Sequence, residues 1–168
     1  MADALYNSLD TILGDEMFLY VEVAGTGETS GTTTWEPIAF TTTCSLSING
    51  DSIDVSNKMD GVWSAAKMGK MGWTVSSSNL LAEKTETTTG FLTDFDYFYD
   101  KMVTRKPFKM RFGRITDIAT RDFTLNTSKT YYEGSSYMTS CELNADNGSA
   151  ISMSVELTGC GELKKVTH

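Results

Sequence analysis

Three aspartates in the segment DFDYFYD have the residue type that binds calcium. Asp94, Asp96 and Asp100 would offer carboxylate oxygens, which are the ligands that Ca²⁺ prefers. A calcium loop also needs a tight turn containing glycine, whereas these aspartates are interleaved with aromatic residues at helical spacing. The sequence therefore favours a solvated helix face over a metal site.

A glycine-rich stretch at residues 21–31, VEVAGTGETSG, follows an apolar segment as a dinucleotide-binding loop does. That loop must lead into the N-terminus of a helix, which receives the phosphate. Here the chain continues with TTTWEP, whose β-branched residues and proline do not begin a helix. The stretch is predicted to be a flexible hairpin tip or an inter-subunit loop, without a nucleotide cofactor.

The residues that commonly carry catalysis are sparse. His168 is the only histidine and the last residue, which argues against histidine-dependent catalysis and histidine metal ligation. Cys44, Cys141 and Cys160 have no CxxC spacing and are predicted to be reduced thiols packed as small apolar residues. We expect no catalytic residue, no metal, no cofactor and no enzyme activity.

The composition predicts one folded domain without a membrane span. Of 168 residues, 40 % are hydrophobic and 21 % charged, and no apolar run approaches the roughly 20 residues that cross a bilayer. The N-terminal sequence lacks the pattern of a signal peptide. The net charge of −8 argues against tight binding of nucleic acid, although it suits a surface that nucleic acid must pass without adhering.

Apolar residues alternate with polar ones along most of the chain, which predicts half-buried antiparallel strands. We expect an N-terminal arm over 1–16 and a single domain over 17–168. Its fold class is predicted to be mainly β, an antiparallel sandwich or barrel with long loops and one flanking α-helix. The predicted strands are Met17–Ala24, Lys70–Ser77, Phe108–Arg114 and Phe123–Asn126, with a hairpin over 42–55 and another over 137–159.

The helix is predicted over 90–105, because four apolar residues form one stripe there. These are Phe91, Phe95, Phe98 and Met102. Thr88 or Thr89 is expected to cap its start, and Pro107 to mark its end.

The two hairpins have predicted registers that keep their apolar residues on one face. In the first, a Gly50-Asp51 turn would set Ile48 against Ile53. In the second, the sequence Asn147-Gly148 suggests a two-residue turn, but that turn would divide the apolar residues between faces. A loop of three or five residues is predicted instead, with these pairs: Leu143 with Ile151, Cys141 with Met153, and Tyr137 with Leu157.

Two long blocks of this sequence resemble the major tail tube proteins of long-tailed bacteriophages. They are TTCSLSINGDSIDVSNKMDGVWSAAKMGKMGWTVSSSNLL at 42–81 and YYEGSSYMTSCELNADNGSAISMSVELTGCGEL at 131–163. The shared features are the strand sxxLxINxDxIDVSxK, the segment G-x-W…KxGWTVS and the ending YYEGSxYxTSxELNA…G…SxxLTGxG. Neither the N-terminal arm nor the loop at 25–34 carries a recognisable match.

The resemblance implies a structural protein whose hexameric rings stack into a hollow tube, with strands of neighbouring subunits joined in one barrel. DNA would pass through the lumen during genome ejection. The implied partners are further copies of the chain, the tape measure, the tail terminator, and the baseplate or tail tip. The implied location is the virion tail, assembled in the host bacterial cytoplasm. An inner-tube subunit of a contractile injection system or tailocin remains an alternative.

Within that framework, polar residues of the two hairpins are candidates for lining the lumen. They are Ser45, Ser47, Asp54, Ser140, Glu142, Ser154 and Glu156. A second set is predicted to contact neighbouring subunits, with the basic residues pairing with an acidic neighbour: Gly25, Gly27, Glu28, Gly31, Trp35, Lys109 and Arg111. A nucleic-acid patch or a solvated face remains open for the basic residues. A monomeric module that binds carbohydrate through Trp35 or Trp63 is the competing hypothesis.

Overall fold

Eight strands and one α-helix make up the fold in the residues that the computed structural model describes, which are 14–24, 33–38, 40–81 and 93–167. The chain order is β1 (Met17–Ala24), β2 (Thr33–Pro37), β3 (Thr41–Asp54), β4 (Ala66–Leu80), α1 (Phe95–Thr104), β5 (Phe108–Asp117), β6 (Asp122–Leu125), β7 (Tyr131–Asn144) and β8 (Ser152–Val166). A short 3₁₀ turn, Gly14–Glu16, precedes β1. The predicted fold class, mainly antiparallel β with one helix, is confirmed for these residues.

The strands form a single antiparallel sheet that curls around its own core. Their order is β2–β1–β5–β7–β8–β4–β3, with β6 attached to β5. The Sγ of Cys44 in β3 donates a hydrogen bond to the carbonyl oxygen of Met17 in β1, over 3.2 Å. Strands far apart in the sheet order are therefore close in space, as in a barrel.

Alternate residues of each strand fill the interior of this curled sheet. One row across four strands is Leu46, Val75, Leu157 and Met138, and the other half contributes Leu19, Val21, Met110 and Phe112. Each such side chain, when fully buried, contributes about 1.5–3 kcal/mol by leaving water. Trp73 is also buried, as its alternation with Val75 predicts.

Helix α1 packs Phe98 into this core, but it is shorter than the sequence predicts. Asp94 caps its start by accepting a hydrogen bond from the Tyr97 amide at 3.0 Å, and Arg105 ends it in the left-handed conformation. Phe95 is half-buried and Met102 is exposed, so the predicted stripe is buried only at its centre. Phe91 and the predicted caps Thr88 and Thr89 lie outside the described residues.

The first predicted hairpin is wrong. Residues 41–54 form one continuous strand that passes through Gly50-Asp51 without turning, and this strand pairs along its length with β4. Ile48 lies opposite Trp73, and Ile53 lies opposite Lys67. The apolar positions change parity at Gly50, from Leu46 and Ile48 to Ile53 and Val55, so the straight strand places Ile53 on the opposite side from Ile48, and both side chains are about half exposed.

The second hairpin exists, but its predicted register is wrong by two residues. Leu143 lies opposite Met153, and the connection between Asn144 and Ser152 is seven residues long. The parity is as predicted, because a shift by two keeps each side chain on its face. A bulge after Met138 then shifts the pairing by one, so that Tyr137 lies opposite Thr158 and Met138 takes the place opposite Leu157.

Gly159 allows the Trp73 ring to lie directly against β8. A methyl group at this position would lie 2.1 Å from Cε2 and 2.3 Å from Cδ2 of Trp73. The indole is also fixed by a 3.0 Å hydrogen bond from Nε1 to the Gly161 carbonyl oxygen, so it has no simple way to move aside. Gly159→Ala is expected to lower the free energy of unfolding by about 2–3 kcal/mol, measured by urea denaturation.

Gly72 provides the matched control for that substitution, because it precedes Trp73 in β4 and a methyl group there would meet no atom within 4 Å. Gly72→Ala is expected to change the free energy of unfolding by less than about 0.5 kcal/mol. Equal losses in the two variants would contradict the close approach of the indole to β8.

Candidate functional site

A face rich in hydroxyl groups covers the outside of β3, β4, β8 and β7. Three cross-strand rows define this hydroxyl face: Thr43–Ser78–Ser154–Glu142, Ser45–Ser76–Glu156–Ser140 and Ser47–Thr74–Thr158–Tyr137. One hydrogen bond within the rows joins Ser45 Oγ and Ser76 Oγ at 2.7 Å. Six of the seven residues predicted to line a lumen thus lie on one surface.

Asp54 is the residue of that set that lies elsewhere. Because β3 does not turn at Gly50, side-chain alternation places Asp54 on the same side of the strand as Ile48 and not with Ser47. Its carboxylate accepts hydrogen bonds from the amide and the hydroxyl of Ser56, which lower its pKa. Asp54 therefore orders the turn after β3.

The hydroxyl face carries only negative formal charge. Its three rows contain Glu142 and Glu156 and neither lysine nor arginine. Both glutamates are exposed. A polyanion passing over this surface would meet hydroxyl groups and like charge, and would find no ammonium or guanidinium group to bind.

Two long strand edges beside the hydroxyl face have no partner among the described residues. One is the outer edge of β3, which is last in the sheet order. The other belongs to residues 137–144 of β7, since β5 pairs with β7 only as far as Ser136. Exposed edges of this length are templates for pairing with another chain. At the other end of the order β2 is only five residues long and ends in Pro37, which makes it a poor template.

The amide directions in β4 follow from two hydrogen bonds at its C-terminal end. The Leu80 N–H donates to the Phe40 carbonyl oxygen at 3.0 Å, toward β3. The Leu81 N–H donates to the Ile151 carbonyl oxygen at 2.9 Å, toward β8. Because these directions alternate along a strand, even-numbered residues from 74 to 80 bond toward β3.

The same alternation identifies the amides on the free edge of β3. Ser47 lies opposite Thr74, so its N–H points into the β3–β4 ladder. Leu46 and Ile48 flank Ser47, and their N–H and C=O groups therefore point away from β4. The outer edge of β3 offers these groups to any strand that adds to it.

Free amides on β7 follow in the same way. Glu156 lies opposite Ser76, which bonds toward β3, so the backbone groups of Glu156 point toward β7. The hydroxyl of Thr139 donates to the Glu156 carbonyl oxygen at 3.0 Å, which agrees with that direction. Ser140 faces Glu156 across the ladder, so the N–H groups of Cys141 and Leu143 point to the free edge.

The β3–β4 hairpin extends beyond the body of the sheet as a two-stranded arm, which we define as residues 49–73. Pairing of β4 with β8 begins only at Thr74, so the arm pairs with no third described strand. Large apolar side chains protrude from it. Met59, Val62 and Trp63 at its tip are 82–95 % exposed, and Met68 and Met71 are 73 % and 66 % exposed. Soluble monomers rarely expose such a cluster.

Arg111 is engaged inside its own chain. Its Nε donates to Glu133 Oε2 at 2.6 Å, and its Cζ lies 3.9 Å from the centroid of the Trp35 ring. Trp35 is half-buried in β2 and not in a loop. Lys109 lies two residues earlier on the same face, is exposed, and forms no ion pair with a described residue.

Arg111→Met is expected to lower the free energy of unfolding by about 1–2 kcal/mol, since it removes the stacking on Trp35 and leaves Glu133 without its cation. Urea denaturation followed by tryptophan fluorescence measures the change. Lys109→Met, the matched control, should change it by less than about 0.5 kcal/mol. A full effect on assembly with unchanged monomer stability would instead assign Arg111 to an inter-subunit contact.

The other residues singled out in the sequence are the three cysteines and the glycine-rich loop. All three cysteines are free; Cys44 and Cys141 are half-buried, which raises the pKa of each thiol, but Cys160 is exposed rather than packed. Gly25, Gly27, Glu28 and Gly31 lie outside the described residues. Among the described residues, no group of three or more His, Cys, Asp or Glu side chains could hold a metal ion. No described helix is long and apolar enough to span a bilayer.

Sequence reasoning missed the arm and the two free edges. The exposed Met59, Val62 and Trp63 lie where the sequence shows no apolar alternation, but Met71, Trp73 and Val75 alternate and predict the second strand of the arm. The edges depend on which strands are neighbours, and no local pattern encodes that. A signal for the arm was therefore present in the sequence, whereas a signal for the edges was not.

Searches with the sequence and with the structure gave different results. No protein-family model and no curated protein matches the sequence. Several solved structures share the fold at low identity, and three of them show the extent of the likeness. A chain from the tail of an empty GTA particle, refined helically with C6 symmetry, has a TM-score of 0.68 and 16 % identity, over 94 % of this chain and 100 % of that one. The SPP1 tail tube gives a TM-score of 0.58 and 11 % identity, over 94 % and 80 %. The sheath-tube complex of an extracellular contractile injection system gives 0.61 and 13 %, over 100 % and 99 %.

Proposed function

We propose that this protein is a structural subunit of a tail tube, in which copies join side by side through the free edges of β3 and β7. The observation that carries the proposal is the pair of edges on one four-stranded segment, one at each side. A second copy can set its β3 beside residues 137–144 of β7, which satisfies the open amides of both. Repetition of one such contact closes into a ring if the rotation closes.

The hydroxyl face is the inner wall of that ring in this proposal. Joining the four-stranded segments edge to edge makes one continuous barrel, and its two faces are the hydroxyl face and the buried core. The core face is covered by β1, β5 and α1 of the same chain, so the hydroxyl face is the one left to line a lumen. Its Ser and Thr side chains keep the wall wet, and Glu142 and Glu156 repel DNA phosphates.

Support for six copies in a ring comes from the fold shared with a tail that was refined with C6 symmetry. The same likeness to the SPP1 tail tube and to a sheath-tube complex supports stacking of such rings into a tube. The protein would act without catalysis, in the tail of a virion assembled in the bacterial cytoplasm. Its further partners would be the tape measure, the terminator, and the baseplate or tail tip.

Electron microscopy of the purified protein tests the proposal. At high concentration the protein is expected to form hollow tubes or rings, seen in negative stain, while dilution gives monomers. A protein that remains monomeric at millimolar concentration, by light scattering and microscopy, would contradict the proposal. Binding of that monomer to a glycan array would then favour the carbohydrate module, with the exposed Trp63 as its candidate platform.

A further inference from the structure

The arm has an apolar surface that the described part of its own chain leaves uncovered. Met59, Val62 and Trp63 at the tip are more exposed than Met68 and Met71 nearer the body, so exposure increases away from the body. At about 3.3 Å per residue, the strand extends about 15–20 Å past Asn49. That distance carries the tip beyond the end of the barrel wall.

A second exposed apolar surface lies at the opposite end of the same strands. We define it as the apolar end: Phe40, Leu80, Leu143 and Ile151, which are 40–61 % exposed. Two hydrogen bonds hold the ends of β3, β4 and β8 together there, from Leu80 N–H to the Phe40 carbonyl and from Leu81 N–H to the Ile151 carbonyl. Phe40 has a φ of +50°, a conformation that aromatic residues rarely adopt, and this holds its ring in an exposed position.

The arm and the apolar end cannot meet within one chain, because β3 itself separates them. Phe40 immediately precedes β3, and the arm tip follows the end of β3. The 14 residues of this extended strand therefore place about 45 Å between Phe40 and the arm tip. No described residue of the same chain covers either surface, so each is open to a partner from another chain. An identical copy, displaced along the strand direction, offers the complementary surface at the correct end.

We propose that the arm tip of one copy docks on the apolar end of a copy in the next ring, so that rings stack head to tail. This inference rests on the proposed tube function and adds the receptor site for the arm. A contact between two different patches is heterologous and does not close on itself, so it repeats indefinitely along the axis. The arm is a continuation of β3, whose free edge forms the proposed contact within each ring.

Two variants each disrupt one of the two surfaces and leave the core unchanged. The arm variant is Val62→Asp with Trp63→Asp, at positions that are 94 % and 82 % exposed. The end variant is Phe40→Asn with Ile151→Asp, in which asparagine tolerates the positive φ. Ile118→Asp is the control, since Ile118 is 49 % exposed in the β5–β6 turn, outside both surfaces. Circular dichroism of each monomer verifies that it is folded.

Each variant alone is expected to form single rings and no tubes by negative-stain microscopy, while the control forms tubes as the original protein does. When rings of the two variants are prepared separately and mixed, stacks of two rings and no longer should appear. The arms of the end variant then dock on the intact apolar ends of the arm variant, and no other contact is left.

Tubes of normal length from either variant, or stacks of end-variant rings with one another through their arms, would overturn the head-to-tail contact and leave the tube function standing. If the unmodified protein and the control form neither rings nor tubes, the proposed function fails, and the stacking contact fails with it.

Discussion

Ile48→Pro is expected to abolish ring and tube formation while leaving the monomer folded. The Ile48 N–H points to the free edge of β3, so proline removes a donor that only a neighbouring copy would use. Ile48 is 51 % exposed, so little buried surface is lost. Light scattering and microscopy measure assembly, and urea denaturation measures the stability of the monomer.

Ser47→Pro is the paired control, one residue away on the same strand. The Ser47 N–H points into the β3–β4 ladder, so proline there removes an internal hydrogen bond and should destabilise the monomer itself by about 3 kcal/mol. Ile48→Thr, which keeps the amide and shortens the side chain, should still assemble. Normal tubes from Ile48→Pro would contradict edge pairing through β3.

Reversing the charge of the hydroxyl face is expected to convert a surface that repels DNA into one that retains it. Glu142→Lys with Glu156→Lys changes the charge by +4 per chain, and in a ring these lysines would surround the lumen. Tubes of this variant should bind DNA tightly at low salt. The affinity should fall by several orders of magnitude between about 50 and 200 mM salt, as expected when several phosphates are neutralised.

Asp96→Lys with Asp100→Lys provides the same change of charge on exposed positions of α1. If the hydroxyl face lines the lumen, the α1 variant should bind DNA only along its outer surface, where nuclease removes it. DNA held by the Glu142 and Glu156 variant should be protected from nuclease. Equal nuclease protection in the two variants would contradict the assignment of the inner wall.

Features that depend on neighbouring residues could be predicted from this sequence, whereas features that depend on contacts between distant segments could not. Met17–Ala24 and the strand beginning at Phe108 follow directly from side-chain alternation, because burial of one face is a local constraint. The hydroxyl face was predictable for the same reason, and six of its residues were identified by parity alone. Parity survives a register error of two residues, which is why Glu142 and Ser154 were placed together although Leu143 was paired wrongly.

The failures have a common physical origin. A glycine and an aspartate in the middle of an alternating segment have the composition of a turn, and Gly50-Asp51 satisfies that pattern while lying in an extended strand. The difference is made by β4, which supplies a partner for residues on both sides of Gly50. Tertiary pairing overrides turn propensity here, and only knowledge of the strand order reveals it.

Helix α1 shows the same limit at its ends. Its centre at Phe98 was predictable from the apolar stripe, but its start depends on Asp94, whose carboxylate accepts the Tyr97 amide. Thr93 precedes this cap and donates its hydroxyl to the Pro37 carbonyl oxygen at 3.0 Å, a contact between segments 56 residues apart. The position of the helix start therefore depends in part on a contact with a distant strand, which the sequence around the helix does not reveal.

Amide hydrogen exchange, compared between monomer and assembled protein, tests the central claim most directly. The claim is that the free edges of β3 and β7 join neighbouring copies. On assembly, the amides of Leu46, Ile48, Cys141 and Leu143 should pass from rapid to slow exchange, while that of Ser47 should be slow in both states. Assembled protein in which those four amides still exchange at the monomer rate would contradict the account.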